Sequence, residues 1–304
     1  MTEFNSPRPE RNRICMERIT LITKPSNGYE LIDSGLEEKL ERFGDVELVR
    51  PDPQALWPKT MPQTRWEAAS ATYSREGREG QWKIKKDMPE SWPIEIGGQK
   101  MLIKPTSFKH TGVFPEQAPN WEWIKHAVSA KPSSSVLNLF GYTGGATIAA
   151  ALAGAEVCHV DASKSAVAWA RENAELNGVA DKSIRWIIED AITFVEREIK
   201  RGNKYDLILM DPPAFGHGPK DELWKFEEHF LALMKLCAEL LSEKPLGVLI
   251  NGYAAGYSAS AFAYNLEPLQ QKYGGSLEYG ELTIEESAGK RQLPCGIFAR
   301  WSAV

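Results

Sequence analysis

The fold is decided by the segment Ser135-Val-Leu-Asn138-Leu-Phe140-Gly141-Tyr142-Thr143-Gly144-Gly145-Ala146. Its first residues form an apolar run typical of a buried parallel strand, and the alanine-rich run that continues to Ala155 predicts a helix. Glycines at 141 and 144 let the backbone pass close beneath a ligand, where a side chain would collide. The helix also directs free backbone N–H groups at this turn. The segment therefore predicts a strand, a ligand-binding turn and a helix of an α/β sheet.

Each of the next three predicted strands ends at an acidic residue. Asp161 follows the run 156–160 and lies twenty residues past Gly141, where an acid accepts both hydroxyls of a ribose. Asp190 follows the run 183–188, and Asp211 follows the run 205–210. Because the carboxyl ends of parallel strands meet at one edge of a sheet, the three carboxylates should line one rim. A simpler role for Asp161, as the N-cap of the next helix, stays open.

The segment Asp211-Pro212-Pro213-Ala214-Phe215 offers groups that suit a planar amine. The prolines end the hydrogen-bond ladder of the strand and stiffen the backbone where open α/β sheets bind their ligands. The Asp211 carboxylate and the Pro212 carbonyl can accept hydrogen bonds from an NH2 group, and the ring of Phe215 can stack. The alternative is a strand cap and a turn, with Phe215 in the core.

The glycine spacing separates two classes of adenosine-containing ligand. A dinucleotide needs G-x-G-x-x-G for its pyrophosphate, whereas this chain has Gly141-x-x-Gly144-Gly145. S-adenosylmethionine has no phosphate, and a third carboxylate at Asp190 suits its adenine amino group. The runs 275–284 and 296–301 predict a closing hairpin typical of methyltransferase sheets. These features favour a methyltransferase over a nicotinamide-dependent oxidoreductase, which stays an alternative.

Four motifs together resemble those of class I S-adenosylmethionine-dependent methyltransferases. They are the glycine turn 138–145, Asp161-Ala162-Ser163, Glu189-Asp190-Ala191 and the proline corner 211–215. The segment 110–117, His-Thr-Gly-Val-Phe-Pro-Glu-Gln, is similar to the Lys-Thr-Gly-Phe-aromatic-Leu-Asp-Gln-Arg segment of one group. That group is the large-subunit ribosomal RNA methyltransferase-like enzymes related to bacterial cytosine-5 methylases. The resemblance implies a Rossmann-like α/β sheet of seven strands, the last one antiparallel.

The resemblance also implies which residues bind S-adenosylmethionine. It puts Gly141 and Gly144 beneath the methionine part, Asp161 on the ribose and Asp190 on the adenine amine. It further implies donor-binding positions at Phe114, Gln117, Asn138, Phe140, Tyr142, Thr143, Ala162, Ser163, Ala191 and Asp211. Catalytic roles fall on the acceptor-holding residues Asp211, Pro212 and Phe215, and no metal is implied.

The chain departs from that group at the position of the nucleophilic cysteine. After the predicted strand 247–250 it has Asn251-Gly252-Tyr253, without a cysteine, and His110 and Ala118 replace basic residues. Methylation of a pyrimidine carbon requires attack by a thiolate. The sequence therefore predicts direct transfer to nitrogen, most simply on a base of ribosomal or other RNA. Alternatives are cytosine-5 methylation through Cys295, methylation of a protein amide or small molecule, and a donor-binding assembly factor without catalysis.

Composition limits the kind of partner. The 304 residues are 42% hydrophobic and 25% charged, with a formal net charge of −5, which argues against broad, non-specific nucleic-acid binding. A local basic patch could still recognise structured RNA. Its candidate residues are Trp82, Lys83, Lys85, Lys86, Lys100, Lys104 and Lys109. The alternative is that they form a solvated strand face.

The sequence predicts three regions. Residues 1–14 are polar and interrupted by prolines and predict a flexible arm, 15–96 a small β-rich accessory domain with a helix at 61–74, and 97–304 the methyltransferase domain. The four cysteines have no metal or disulfide spacing, and no apolar run has the length of a membrane span. We expect a cytoplasmic protein without metal or membrane, and homo-oligomerisation is left open.

Overall fold

The computed structural model describes residues 16–76, 79–85, 88–106, 109–253 and 256–303. The arm predicted at 1–14 and the patch residue Lys86 lie outside the described residues. The first part of the chain contains strands β1 (Met16–Thr23), β2 (Tyr29–Gly35), β3 (Glu38–Phe43), β4 (Val46–Pro51), β5 (Ala71–Glu76), β6 (Glu79–Ile84), β7 (Trp92–Ile96) and β8 (Gln99–Ile103), and the short helix α1 (Gln63–Glu67).

Strands β2 to β6 form a five-stranded sheet in that order, here called the small sheet, and β7 pairs with β8 in a separate hairpin. The helix expected at 61–74 is wrong beyond α1, because β5 begins at Ala71 and pairs antiparallel with β6. Ala71 and Tyr73 are buried while Thr72 and Ser74 are partly exposed. This period of two is that of a strand.

The second part alternates helices and strands around the large sheet. In chain order its elements are a 3-10 turn (Pro115–Gln117), α2 (Ala118–Ser129), β9 (Ser135–Leu139), α3 (Gly145–Leu152), β10 (Glu156–Asp161), α4 (Lys164–Leu176), β11 (Ile184–Ile188), α5 (Ala191–Arg201), β12 (Leu207–Met210), β13 (Phe215–His217), β14 (Leu223–Lys225), α6 (Phe226–Leu240), β15 (Gly247–Gly252), α7 (Ala259–Tyr273), β16 (Ser276–Glu285) and β17 (Gln292–Ser302).

The large sheet has eight strands in the order β1-β16-β17-β15-β12-β9-β10-β11. Only β17 runs antiparallel to its neighbours, so the expected Rossmann-like sheet with an antiparallel last strand is confirmed. Strand β1 adds an eighth strand by pairing parallel with β16. Residues 16–23 therefore belong to the large sheet and not to the small β-rich unit expected at 15–96. The division of the chain into domains otherwise stays a prediction.

Two apolar layers cover the large sheet. All four residues of β12 are buried, as expected for a central parallel strand with helices on both faces. One layer contains buried residues of α2 and α3 and continues into the small sheet, and the other contains those of α5, α6 and α7. No helix in the described ranges is long and apolar enough to cross a membrane. The two layers leave the carboxyl ends of the strands as the open edge.

A buried polar network fixes the small sheet to the β16–β17 hairpin. Arg291 extends its guanidinium to Glu286 at 2.9 Å and to Asp33 at 3.2 Å. Asp33 also accepts hydrogen bonds from the backbone N–H of Met61 at 2.8 Å and from the indole of Trp66 at 3.1 Å. Each buried charge is thus paired, which is what makes burial of ionised groups tolerable. The network holds the small sheet next to the open edge of the large one.

Candidate active site

The turn between β9 and α3 has an unusual backbone. Phe140 and Tyr142 have φ angles of 56° and 48°, in the left-handed region that side chains rarely adopt. Such conformations cost about 1–3 kcal/mol each and cluster at ligand-binding sites. A Cβ on Gly141 would lie 2.4 Å from the ring of His159, and one on Gly145 would lie 2.5 Å from Trp121. These glycines therefore allow His159 and Trp121 to pack against the turn, and they also allow a ligand to come close to its backbone.

The segment 110–117 lies against this turn. The hydroxyl of Thr143 donates a hydrogen bond to the carbonyl of Gly112 at 2.5 Å, and the ring centroids of Phe114 and Tyr142 are 5.5 Å apart. The segment therefore packs against the turn, and its role in covering the bound donor stays a prediction.

Asp161 connects the turn to the next strand. Its Oδ2 accepts a hydrogen bond from the backbone N–H of Tyr142 at 2.8 Å, and its Oδ1 accepts one from Ser163 at 2.8 Å. The N-cap of α4 is Ser163, whose hydroxyl accepts from the N–H of Ala166, so the capping alternative for Asp161 is wrong. Burial raises the pKa of Asp161, although the two backbone N–H groups oppose the rise. A carboxylate has about four lone-pair sites, so Asp161 can still accept ribose hydroxyls.

Asp190 has a structural contact that the sequence analysis did not foresee. It is the N-cap of α5, and its Oδ1 accepts from the N–H of Thr193 at 2.8 Å. Its neighbour Glu189 pairs with Arg197. Asp190 ends β11 at the same rim as Asp161, so a second role toward an adenine amine rests on its other oxygen.

A cavity of about 70 Å³ lies beneath the glycine turn. Residues predicted to bind the donor line it: Phe114, Gln117, Asn138, Phe140, Gly141, Tyr142, Thr143 and Asp211. The cavity does not include Gly144, Asp161, Ala162, Ser163, Asp190 or Ala191, nor Pro212 or Phe215. Ligand pockets usually span about 300–1,000 Å³. This donor cavity therefore suits one end of a ligand whose remainder lies along the rim.

Two buried polar atoms in the donor cavity lack a hydrogen-bond partner among the described residues. They are Oδ1 of Asp211, an acceptor, and Nε2 of Gln117, a donor. Buried polar atoms are nearly always satisfied, so these two are available to hydrogen-bond a ligand in the cavity. The methionine end of S-adenosylmethionine carries an ammonium that needs acceptors and a carboxylate that needs donors. The residues present therefore fit this end of the cofactor.

Sequence reasoning missed two asparagines that position Gln117. Asn120 donates to Oε1 of Gln117 at 3.2 Å and to Oδ1 of Asn251 at 2.9 Å. The available signal was Asn251 itself, a polar residue that directly follows an apolar strand at the edge where ligands bind. The chain of amides holds Gln117 so that its Nε2 stays free for a ligand.

Two buried carboxyl groups in this region have a raised pKa: Asp211, which lines the donor cavity, and Glu116, which does not. Burial and the nearby charge of Glu116 raise the pKa of Asp211 to about 7. Burial also raises the pKa of Glu116, which accepts a hydrogen bond from the Tyr253 hydroxyl at 2.7 Å. The Asp211 carboxyl is therefore partly protonated near neutral pH, chiefly because it is buried.

The proline corner follows Asp211 as predicted, but Pro212 and Phe215 differ in their exposure to solvent. Pro212 is buried, whereas Phe215 is 57% exposed on β13, which excludes Phe215 as a core residue. The carbonyl of Pro213 accepts a hydrogen bond from the indole of Trp224 at 2.6 Å. Phe215 lies outside the donor cavity, so it can meet only a ligand that approaches from the surface.

A second cavity, of about 660 Å³, lies between the small sheet and the carboxyl edge of the large sheet. This wide cleft shares Val113 and Phe114 with the donor cavity, so the two spaces are separated by one layer of side chains. Cys295 lines the wide cleft, and burial raises the pKa of its thiol well above the ordinary value. The thiol is therefore protonated at neutral pH and is a weak nucleophile.

This architecture defines a class of enzyme: a Rossmann-like sheet with one antiparallel strand, and a donor site at its carboxyl edge. The chain belongs to the S-adenosylmethionine-dependent methyltransferase family, because the sequence model of that family matches residues 61–258, more than half of the chain. S-adenosylmethionine is therefore its cofactor.

Similar proteins are known from several bacteria. The crystal structure of the SAM-dependent methyltransferase from Agrobacterium tumefaciens is 40% identical, covers 97% of each chain and has a TM-score of 0.90. Ribosomal RNA large subunit methyltransferase I of Aeromonas salmonicida is 35% identical over 164 residues, 54% of this chain and 40% of that protein. Ribosomal RNA large subunit methyltransferase K/L of Pseudoalteromonas atlantica is 28% identical over 295 residues, 89% of this chain and 39% of that protein. The chain thus spans about 40% of the length of these two relatives.

Proposed function

We propose that this chain methylates a nitrogen of a base in RNA, with S-adenosylmethionine as the methyl donor. The names of the two relatives, both ribosomal RNA methyltransferases, support RNA as the acceptor. The choice of nitrogen as the methylated atom rests on the protonation of the Cys295 thiol in the wide cleft. Cys295 is held protonated there, and the end of β15 bears Asn251 where the cytosine-5 methylases have their nucleophile. Without a thiolate, covalent attack on a pyrimidine ring has no nucleophile.

Each residue of the donor site then binds a different part of S-adenosylmethionine. Nε2 of Gln117 donates to the methionine carboxylate, and Oδ1 of Asp211 accepts from the ammonium. Asp161 accepts from the ribose hydroxyls, and the second oxygen of Asp190 accepts from the adenine amine. When bound, S-adenosylmethionine supplies a methyl group that its sulfonium already activates, so the chain contributes mainly alignment.

The acceptor amine meets the corner that begins at Asp211. The Asp211 carboxyl and the Pro212 carbonyl accept its N–H groups and direct the nitrogen lone pair toward the donor cavity. The exposed ring of Phe215 stacks on a base of the RNA, a contact worth about 1–3 kcal/mol. The Asp211 carboxyl, whose pKa is raised to about 7, can take up the proton that the methylated nitrogen releases.

The partners follow from this activity. We propose that the small β-rich unit helps to hold the RNA, that the protein works in the cytoplasm and that the basic patch contributes. Lys104 of that patch is ion-paired with Glu172 at 2.6 Å, and Lys85 donates to the carbonyl of Glu67 at 3.3 Å. Lys100 and Lys109 are therefore its stronger candidates for contact with phosphates. Homo-oligomerisation is a separate proposal, to be checked by light scattering.

The decisive experiment compares modified products with and without the protein. Ribosomal RNA and total peptides from a strain that lacks the gene are incubated with the purified protein and isotopically labelled S-adenosylmethionine. Mass spectrometry of nucleosides should find the label on a base nitrogen. A label on a pyrimidine carbon, on a peptide or on a small molecule would contradict the proposal.

A matched variant separates nitrogen from carbon chemistry. Cys295→Ser removes the only thiol of the wide cleft among the described residues and changes little else. We expect it to retain the wild-type rate of transfer within about twofold, since direct transfer needs no thiolate. A loss of more than about a hundredfold, with unchanged donor binding, would instead favour the displaced-cysteine mechanism. Binding of the donor without any transfer would favour the assembly-factor alternative.

A further inference from the structure

The wide cleft has a cationic side formed by the small sheet and the segment that follows β8. Lys39, Arg50 and Lys109 line this side. Lys39 pairs with Asp52 at 3.2 Å, and Arg50 forms a two-pronged pair with Glu41 at 2.8 and 2.9 Å. The ammonium of Lys109, in contrast, has no carboxylate partner in the part of the chain that the structure describes.

The position of Lys109 is fixed by the buried ion pair behind it. Nη1 of Arg50 donates to the carbonyl of Lys109 at 3.0 Å, while its other nitrogens stay on Glu41. Glu41 also accepts the hydroxyl of Tyr29 at 2.8 Å. The half-buried Lys109 is therefore presented to the cleft by a rigid base. Burial lowers the pKa of Lys109, and the charges of Lys39 and Arg50 add to this while those of Asp52 and Glu41 oppose it. A bound anion would stabilise the charge of this half-buried ammonium.

The opposite side of the wide cleft is aromatic and leads to the donor cavity. Tyr253 and Tyr257 both line the cleft and are about two-fifths exposed, at 40% and 38%. The ring of Tyr253 lies 4.9 Å from that of Phe114, which in turn contacts Tyr142 of the glycine turn. A continuous row of rings thus runs from the cleft to the donor site, with the Glu116 carboxyl beneath it.

We propose that the wide cleft binds the target nucleotide of the RNA, with Lys109 on its phosphate and the Phe114–Tyr253 pair against its base. This inference rests on the proposed function. At about 660 Å³ the cleft lies within the usual range of ligand pockets and has room for an extruded nucleotide. A lone cation binds phosphate, and aromatic rings bind a base face without regard to its identity. Asp211 and Pro212 do not line the cleft, so the amine of the bound base must reach past Phe114, which both cavities share, to meet the Asp211 corner. Phe215, also outside the cleft, then contacts a neighbouring base.

Glu116 and Tyr253 add selectivity at the base edge. The Glu116 carboxyl lines the cleft and accepts a hydrogen bond from the Tyr253 hydroxyl. In its ionised form the carboxylate can only accept hydrogen bonds, so it then accepts from an exocyclic amine and opposes a carbonyl. The cleft therefore favours a base that carries an amino group over one that carries only carbonyls.

The test measures steady-state methylation of ribosomal RNA from a strain that lacks the gene, together with donor binding by calorimetry. Lys109→Met keeps the aliphatic stem and removes the charge. We expect it to raise KM for the RNA about tenfold, to leave kcat within about twofold and to reduce the salt dependence by about one phosphate contact. Tyr253→Ala should lower kcat/KM about ten- to hundredfold, and Tyr253→Phe should recover most of that loss because the ring remains.

The matched control is Lys244→Met. Lys244 is also exposed, but it precedes β15, at the opposite end of the sheet from the cleft. The Lys244→Met variant should leave the KM for the RNA and the salt dependence of methylation unchanged. Circular dichroism melting and donor affinity, both expected at the wild-type value, show that the cleft variants are folded.

The outcomes distinguish a failure of the cleft assignment from a failure of the proposed function. If the wild-type protein methylates RNA while Lys109→Met keeps its KM and its salt dependence, the assignment of the cleft is overturned and the proposed function stands. If the wild-type protein methylates a peptide or a small molecule and no RNA, the proposed function fails and the assignment of the cleft fails with it.

Discussion

Asp211→Asn should stabilise the protein without its cofactor, and only at neutral and alkaline pH. Folding raises the pKa of the Asp211 carboxyl from 3.8 to about 7. The folded state therefore holds a proton that the unfolded state has lost between these values. By linkage, the contribution of Asp211 to the free energy of unfolding falls as the pH rises from about 4 to 7, and is constant above. At 1.36 kcal/mol per pH unit the ionised carboxyl costs the fold about 4 kcal/mol above pH 7.

Asparagine has nearly the same shape and no charge, so it removes this cost. Its new NH2 group must also find a partner, because an unsatisfied buried donor would offset part of the gain. We expect a gain of about 2–4 kcal/mol at pH 8 and a gain near zero at pH 4. Urea unfolding followed by tryptophan fluorescence and circular dichroism, from pH 4 to 9, measures the difference. Coincident transitions by the two probes are needed before free energies are compared.

Asp206→Asn is the control of opposite sign. Asp206 directly precedes β12, and burial is outweighed there by hydrogen bonds from Lys131 and Ser242, which lower its pKa. Loss of that carboxylate should destabilise the protein at pH 8. A raised pKa of Asp211 is refuted if Asp211→Asn is less stable than the wild type at pH 8. It is also refuted if the difference in their free energies of unfolding does not change with pH.

Three further predictions concern single side chains. Asp161→Ala should weaken S-adenosylmethionine binding at least tenfold by calorimetry, since each hydrogen bond to a charged acceptor is worth about 1.5–3 kcal/mol; unchanged binding would remove Asp161 from the site. Gly145→Ala should lower the free energy of unfolding by about 1–3 kcal/mol, because its Cβ would lie 2.5 Å from Trp121, and a neutral result would mean that the indole can move. Ser163→Ala removes the cap contact to Ala166 at 3.2 Å and should cost about 0.5–2 kcal/mol, whereas Ser163→Asp should retain most of the stability.

The donor site could be predicted because its residues follow consecutive strands. Once the apolar runs are taken as parallel strands, Asp161, Asp190 and Asp211 must share an edge, and the structure has them at the ends of β10, β11 and β12. The capping contact of Asp190 was also open to prediction, because Asp three residues before a helix-compatible Thr193 is a common cap.

The wide cleft could not be predicted in the same way. Arg50, Lys109 and Tyr253 are far apart in sequence, and they come together only because the small sheet docks on the β16–β17 hairpin. No local period or spacing encodes that docking. The position of β1 was hidden for a similar reason, since the pattern of Met16–Thr23 predicts a strand but does not specify its neighbour.

The pairing of β1 with β16 ties the order of synthesis to the order of folding. Met16 lies beside Leu277, about 260 residues later in the chain. At roughly 5–20 residues per second, a nascent chain carries β1 without its partner for on the order of ten to fifty seconds. Thr23 at the end of β1 also bonds to the carbonyl of Pro115, in the segment that covers the donor cavity. The segment that covers the donor cavity is therefore braced by a strand that can pair only after β16 has been synthesised, so chains that stop before β16 should not bind the methyl donor.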